Sequence, residues 1–344
     1  MESFVRRLPK VELHLHLEGS VRPETLRELS RGKGRHGEET EDWIQDRTRS
    51  NFHYQNPQEF LTAFKLVTLL LDSPQDYALV LTRLCEEFAA QNVKYAEVTL
   101  SVGVILWKKQ SVNAIFEALS AAAREAESRL GVRVAWIFDA IRHFGAEHAR
   151  QVLGWAKRFR SQGVMAFGIG GDEVRGPAAL FTEVYREARD SGLHVTAHAG
   201  ETSGPESIRA AVELLGAERI GHGLSALHDP SVVALLRERQ IPLEVCPTSN
   251  VCTGLVPRIE EHPLPRFLDE QLIVTLNSDD PGLFATTLEQ EFMLAAKYFS
   301  LSHQQLAGIA GNAIRASFLR ENQKRILVEE LNAATILVHD RGQE

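Results

Sequence analysis

The chain has 344 residues, 44% of them hydrophobic and 24% charged, which is the composition of a soluble globular protein with enough length for a large core. A formal net charge of −8 argues against a polyanion such as duplex DNA as a partner, and no apolar run is long enough to cross a bilayer. Met1 to Pro9 holds no apolar signal core, and Cys85, Cys246 and Cys252 form no C-x-x-C pair, so they read as reduced thiols of a cytoplasmic protein.

The first predicted element is a strand over Val11 to Leu17. Its alternation places His14 and His16 on one face and Leu13, Leu15 and Leu17 on the other. On a helix the two histidines would stand about 200° apart. Two imidazoles side by side are either a chance pair at a strand end or partners on a metal ion. Pro23 opens a helix to about Leu29, and the polar, glycine-bearing stretch Arg31 to Thr40 reads as a loop. A helix from Asn56 repeats Phe60, Phe64, Val67 and Leu71 at helical spacing, and Asp72-Ser73-Pro74 stops it. Another helix follows over 75–91. A regular rhythm then sets in, with strands over 94–101, 133–141, 164–169, 194–198, 219–222, 242–246 and 272–277. Helices are predicted between them at 111–129, 146–159, 177–190, 205–215, 229–239 and 264–270, and at 288–299, 302–318 and 321–332 after the last strand. About eight strands alternating with helices imply a closed parallel (β/α)8 TIM-type barrel, with extra helices inserted after strand 1 and at the C-terminus. Residues 1–344 are read as one domain, a size that single barrels with insertions reach. An open doubly wound sheet is the alternative, but no G-x-G-x-x-G follows the first strand.

Barrel enzymes carry their chemistry at the carboxyl ends of the strands. Here those ends read His14-Leu15-His16-Leu17-Glu18, Gly170-Gly171-Asp172-Glu173, His198-Ala199-Gly200-Glu201, Gly221-His222-Gly223 and Asn277-Ser278-Asp279-Asp280-Pro281. One buried histidine is most often a core residue, and Asp-Asp-Pro is most often a turn. Five such clusters at one end of a barrel converge on one mouth. His14, His16, His198 and Asp279 are a donor set suited to one catalytic Zn²⁺, which lowers the pKa of a bound water. Glu201 is placed to move protons, and His222 to orient the attacking oxygen. Asp280 faces the substrate, and Gly171 lets a flat ligand approach the backbone.

These motifs, with Cys246-Pro247-Thr248-Ser249-Asn250, stand in an order that resembles the adenosine deaminase family of metal-dependent hydrolases along nearly the whole chain. The resemblance implies that His14, His16, His198 and Asp279 hold Zn²⁺. It implies that Glu201 protonates purine N1, His222 steers the nucleophile, Asp280 contacts N7 and the Gly171 N–H contacts N3. Attack at C6 would then release ammonia. Glu18 stands where adenosine enzymes usually have Asp at the ribose, and is similar to the adenine and aminodeoxyfutalosine enzymes, the latter acting in menaquinone biosynthesis. The intact Gly171-Asp172-Glu173 departs from the adenine enzymes, and Ser101-Val102-Gly103 departs from a Ser-Pro common in adenosine enzymes.

Strand four contains no lysine to bridge two metals, and no Pro-Cys-x-x-Cys pair marks the other zinc deaminase class. A non-catalytic nucleoside-binding relative would be free to lose Glu201 or a ligand, and none is lost. The 56–71 helix either packs on the barrel or serves as a lid, with Trp107, Lys108 and Lys109 near the same rim. An apolar wall with a cation suits an aromatic carboxylate tail, and the site motifs hold no Arg/Lys cluster for a phosphate. The expected partner is therefore a small-molecule purine nucleoside, with aminodeoxyfutalosine ahead of adenosine and adenine third. The sequence leaves the oligomeric state open.

Overall fold

A computed structural model describes residues 1–31, 35–49 and 52–339. Eight parallel strands run in chain order around the sheet: β1 (Lys10–His16), β2 (Val93–Leu100), β3 (Arg133–Ile141), β4 (Val164–Gly170), β5 (His194–Ala199), β6 (Arg219–His222), β7 (Leu243–Val245) and β8 (Val274–Leu276). Each strand pairs with the next, from Leu15 beside Val98 to Val245 beside Leu276. Closure of β8 onto β1 falls just past β8. His16 N donates to Asp279 O at 2.9 Å, and Asp279 N donates to His14 O at 3.0 Å. The residue that seals the barrel is thus one of the residues singled out for chemistry. Helices cover the sheet and bury the Val, Leu and Phe residues of both layers in one continuous core, the (β/α)8 architecture expected.

The barrel interior carries an ionic layer below the mouth. Arg219 of β6 is fully buried and binds Glu97 of β2 at 2.6 Å and Glu244 of β7 at 2.5 Å. Its third anchor is Ala316 O at 2.9 Å, and its guanidinium lies 3.9 Å from the Phe318 ring centroid. Phe318 also stacks on His194 with centroids 4.0 Å apart. A buried arginine is tolerable only with its donors matched, and the two carboxylates match them.

Several elements differ from expectation. The stretch read as a loop over 31–40 lies partly in helix Arg35–Arg49, while 32–34 fall outside the described residues. Tertiary packing decides this: Ile44 and Thr40 are buried, and Arg27 binds Glu41 at 3.0 Å, so a polar segment is held as helix by one inward stripe. Short helices Glu2–Arg7, Val102–Trp107 and Pro247–Cys252 were not expected, because six residues show too little periodicity to register. The 177–190 segment begins as 3-10 helix Ala178–Phe181 before helix Thr182–Asp190, and 205–215 ends in a π turn over Ala211–Leu215. The inserted helix, Pro57–Leu70, has the predicted start: Pro57 at its first position and the Asn56 side chain accepting from Glu59 N at 3.0 Å.

Candidate active site

β1, β5, β6 and the turn after β8 bring four histidines and Asp279 to one point at the carboxyl end of the barrel. His16 Nε2 lies 3.3 Å from His198 Nε2, and Asp279 Oδ1 lies 3.4 Å from His14 Nε2 and 3.6 Å from His16 Nε2. Four donors held tetrahedrally at zinc bond lengths of about 2.0–2.1 Å stand about 3.3–3.4 Å apart, so these separations fit the edges of a metal's coordination tetrahedron. His222 Nε2 is farther, 3.9 Å from the other Asp279 oxygen. Among the described residues, ligand atoms of His14, His198, His222 and Asp279 all lie within 4.8 Å of one another, and so do those of His16, Asp279 and Asp280, so that Asp279 joins the two groups.

The outward ring atoms are tied down. His14 Nδ1 meets Glu244 Oε2 at 2.8 Å, and His198 Nδ1 meets Ile169 O at 3.2 Å, which turns both Nε2 atoms inward. His14 Nε2 is buried without a hydrogen-bond partner. Burial pulls the His16 pKa down to about 4 and that of His198 well below the usual range, so both rings are neutral donors. Burial also opposes a charge on His14, yet Asp279 and Glu244 outweigh it and raise its pKa well above the ordinary value. A place that favours a proton between His14 and Asp279 favours a metal cation there.

Around this point stand the acid–base groups. Glu201 lies 3.7 Å from His222 Nε2, and its pKa is pushed up to about 8, first by burial and then by the charges of Asp279 and Glu173. Its turn is held by Glu173, whose carboxylate accepts from Gly200 N (2.9 Å), Glu201 N (2.9 Å), Thr202 N (2.8 Å) and the Ser207 hydroxyl. His222 has φ +62°, and Asp279 has φ +59°; both are left-handed conformations that cost a non-glycine residue about 1–2 kcal/mol. Asn250 fixes the His222 ring, with its amide nitrogen 3.1 Å from Nδ1, and His262 meets the Asn250 oxygen at 3.2 Å. Ser249 donates to Asp279 Oδ2 at 2.6 Å. The helix Pro247–Cys252 therefore serves both His222 and Asp279.

Asp280 lines the cavity, has a buried Oδ1 without a partner, and is held well above the carboxylate range by burial and by Asp279. Gly19 makes its room, since a Cβ there would lie 1.6 Å from Asp280 Oδ1. Gly171, at φ +89°, lines the same wall. Glu18 does not line the cavity. Its Oε1 accepts from Ser101 N at 3.1 Å behind the wall, its Oε2 is buried without a partner, and burial raises its pKa to about 7.

Sequence reasoning missed several working residues. Asp139, at the end of β3, lines the cavity with a pKa pushed to about 8 by burial and Glu18. Its position at a strand's carboxyl end was the available signal. Arg142 donates to the carbonyls of His198 and Gly176, the latter at 2.8 Å. Glu244, Glu173, Ser249 and Asn250 act through the groups they hold, and no spacing announces that.

The cavity has a volume of about 860 Å³. Phe60 and Phe64 of helix Pro57–Leu70 line it together with Trp107 and Phe144; the Phe64 ring lies 6.3 Å from that of His16, and Trp107 stands beside the helix, 5.8 Å from Lys65 Nζ. The inserted helix thus stands at the mouth. Lys108 does not: its ammonium turns back to the carbonyls of Thr68 and Leu71, the latter at 2.7 Å, and caps that helix's C-terminal end. Lys109 is exposed and away from the lining; Lys65 and Arg175 supply the rim's cations instead.

A family model described as adenosine deaminase matches residues 9–334. The chain belongs to the adenosine deaminase family. It is a hydrolytic deaminase. It is 36% identical over 337 residues to an aminodeoxyfutalosine deaminase of Streptomyces avermitilis, covering 97% of this chain and 93% of that protein. It is 34% identical over 322 residues to an adenosine deaminase of Clostridium perfringens, covering 93% and 97%. Its fold superposes with a TM-score of 0.87 on the crystal structure of an adenine deaminase from Arthrobacter aurescens, at 29% identity and covering 95% and 98%. A zinc-bound amidohydrolase from Burkholderia ambifaria superposes with a TM-score of 0.89, at 26% identity and covering 99% and 94%. These relatives make a purine deaminase of it, and its family is metal-dependent; the cluster at the barrel mouth holds residues of the types that could bind an ion. Among the described residues, no helix is long and apolar enough to cross a membrane.

Proposed function

We propose that the chain is a mononuclear zinc deaminase of a 6-aminopurine nucleoside, with aminodeoxyfutalosine as substrate, adenosine second and adenine third. The observation that carries the chemistry is geometric: Glu201 is set 3.7 Å from His222, beside His14, His16 and His198 gathered around Asp279, with the His16–His198 and His14–Asp279 separations at 3.3 and 3.4 Å. His14, His16, His198 and Asp279 would hold Zn²⁺, and His222, on the far carboxylate oxygen of Asp279, would stay free. When bound, the ion supplies Lewis acidity and a water of lowered pKa.

The protein's own groups do the rest. Glu201, protonated near neutral pH, donates to purine N1 and so makes C6 electrophilic. His222, fixed by Asn250, accepts a hydrogen bond from or donates one to the attacking oxygen on the face next to Asp279. Asp280, held protonated, donates to N7, and the Gly171 N–H donates to N3. As the water oxygen bonds to C6, one of its protons passes through the Glu201 carboxylate to the amino group; the C6–N bond breaks, ammonia leaves, and the oxygen's remaining proton returns to Glu201 as C6=O forms. The buried walls exclude water and strengthen each of these contacts.

The tail preference is supported by the cavity's outer half. A volume of about 860 Å³ lies within the roughly 300–1,000 Å³ of drug-sized sites, and its outer wall is aromatic where adenosine offers only hydroxyls. The order among the three compounds rests on the sequence, Glu18 in place of Asp beside an intact Gly171-Asp172-Glu173; the Glu18 carboxylate itself stands behind the cavity wall and does not reach the tail. With that substrate the chain would serve menaquinone biosynthesis in the cytoplasm. The test compares kcat/KM for the three compounds on one preparation. Adenosine ahead by tenfold or more, about 1.4 kcal/mol, overturns the tail preference. Adenine ahead overturns the sugar-side reading.

A further inference from the structure

Three basic side chains in the cavity take no part in the deamination chemistry. Arg175, on the loop after β4, is exposed at the lining, and among the described residues its guanidinium has no hydrogen bond or ion pair. Lys65, on helix Pro57–Leu70, is exposed, and its ammonium stands 5.8 Å from the Trp107 ring centroid. His143, after β3, has a buried Nδ1 without a partner, 3.4 Å from where a Cβ on Gly171 would sit. Burial and the charge of Arg175 keep this ring neutral, so it offers one N–H. The acidic neighbour, Asp172, has one oxygen engaged by the backbone N–H groups of Val174 and Arg175, both at 3.0 Å. Trp107, 48% exposed, and Val174, 74% exposed, flank these groups on the same lining. Apolar surface left open next to unpaired donors is what a ligand with an apolar spacer and a charged end covers. The sequence held no Arg/Lys cluster because these residues come from three separate segments.

Resting on the reading of the inner cavity as the purine site, we propose that Lys65, His143 and Arg175 form an anion subsite for the far end of the substrate. The ligand class is a 6-aminopurine nucleoside whose sugar-side tail ends in a carboxylate or phosphate. Arg175 matches either anion with two parallel N–H donors, Lys65 adds a point charge, and His143 donates from the inner side. Trp107 and Val174 hold the spacer.

The test measures kcat/KM of the wild type, Arg175→Ala and Lys109→Ala on aminodeoxyfutalosine, its methyl ester, AMP and adenosine. Arg175→Ala lowers the ratio of an anion-ended compound to its uncharged counterpart by about tenfold, the worth of one charge-assisted hydrogen bond, with the change in KM. Lys109→Ala, off the lining, leaves that ratio unchanged. Added salt raises KM for the anionic compound in the wild type and much less in Arg175→Ala. A selective loss on aminodeoxyfutalosine identifies a carboxylate, and one on AMP a phosphate; either supports the subsite. Equal changes on charged and uncharged compounds, or none, overturn it while deamination of adenosine still upholds the purine site. A wild type that deaminates none of the four overturns both.

Discussion

At the residue scale, the site works through second partners. Glu244 binds His14 Nδ1 on one side and Arg219 on the other, so it sets both the tautomer and the basicity of a proposed ligand. Glu244→Gln is expected to lower metal affinity about 10–100-fold, read by competition with a chelator. Unchanged affinity would show that His14 needs no orienting partner. Glu201→Gln should retain metal and fold but lose about 10²–10⁴-fold in kcat, the usual worth of a general acid. The pH dependence follows from the raised Glu201 pKa. The acid is protonated below about 8, so kcat/KM holds there and falls tenfold per pH unit above it. Between the usual carboxyl range and about 8 the folded chain binds a proton that the unfolded chain does not, so this group's contribution to stability falls as pH rises through that window. A kcat/KM profile flat to pH 10 would remove Glu201 from the role.

At the element scale, helix Pro57–Leu70 forms the outer wall of the cavity and is pinned at both ends. Asn56 caps its start, and Lys108 reaches from the helix after β2 to the carbonyls at its end. Phe60 extends the hold by stacking on Phe284 at 5.0 Å. Lys108→Met should destabilise the protein by about 1–3 kcal/mol in urea unfolding, by loss of charged hydrogen bonds to backbone. It should leave the preference between acid and methyl ester as it was, because Lys108 faces the helix end. A selective loss on the acid would return Lys108 to the substrate.

At the scale of the whole molecule, the barrel floor and mouth are linked by one buried chain of charges, Glu97–Arg219–Glu244–His14. Arg219→Met would leave two carboxylates buried without their cation. The expected loss is about 3–5 kcal/mol of unfolding free energy, with weaker metal binding through the freed Glu244. Stability within about 1 kcal/mol of wild type would show that the floor relaxes without the layer.

The barrel was legible in the sequence because strand and helix periods differ and about eight of each alternate. The donor set was legible because β1 places His14 and His16 on one face by period alone, and because His198, Glu201, His222 and Asp279 each fall at a strand's carboxyl end, where a barrel must converge. The helix over Arg35–Arg49 was not legible, since its helicity comes from packing Thr40 and Ile44 and not from composition. The direction of a long side chain was not legible either. Lys108 next to Trp107 read as a rim cation, and only the end of a helix 40 residues earlier in the chain decided that it is a cap. The partners Glu173, Glu244 and Asn250, and the meeting of Lys65, His143 and Arg175 in one cavity, depend on contacts between segments far apart in sequence. Periodicity is a property of neighbours along the chain, whereas those contacts exist only once the barrel has closed.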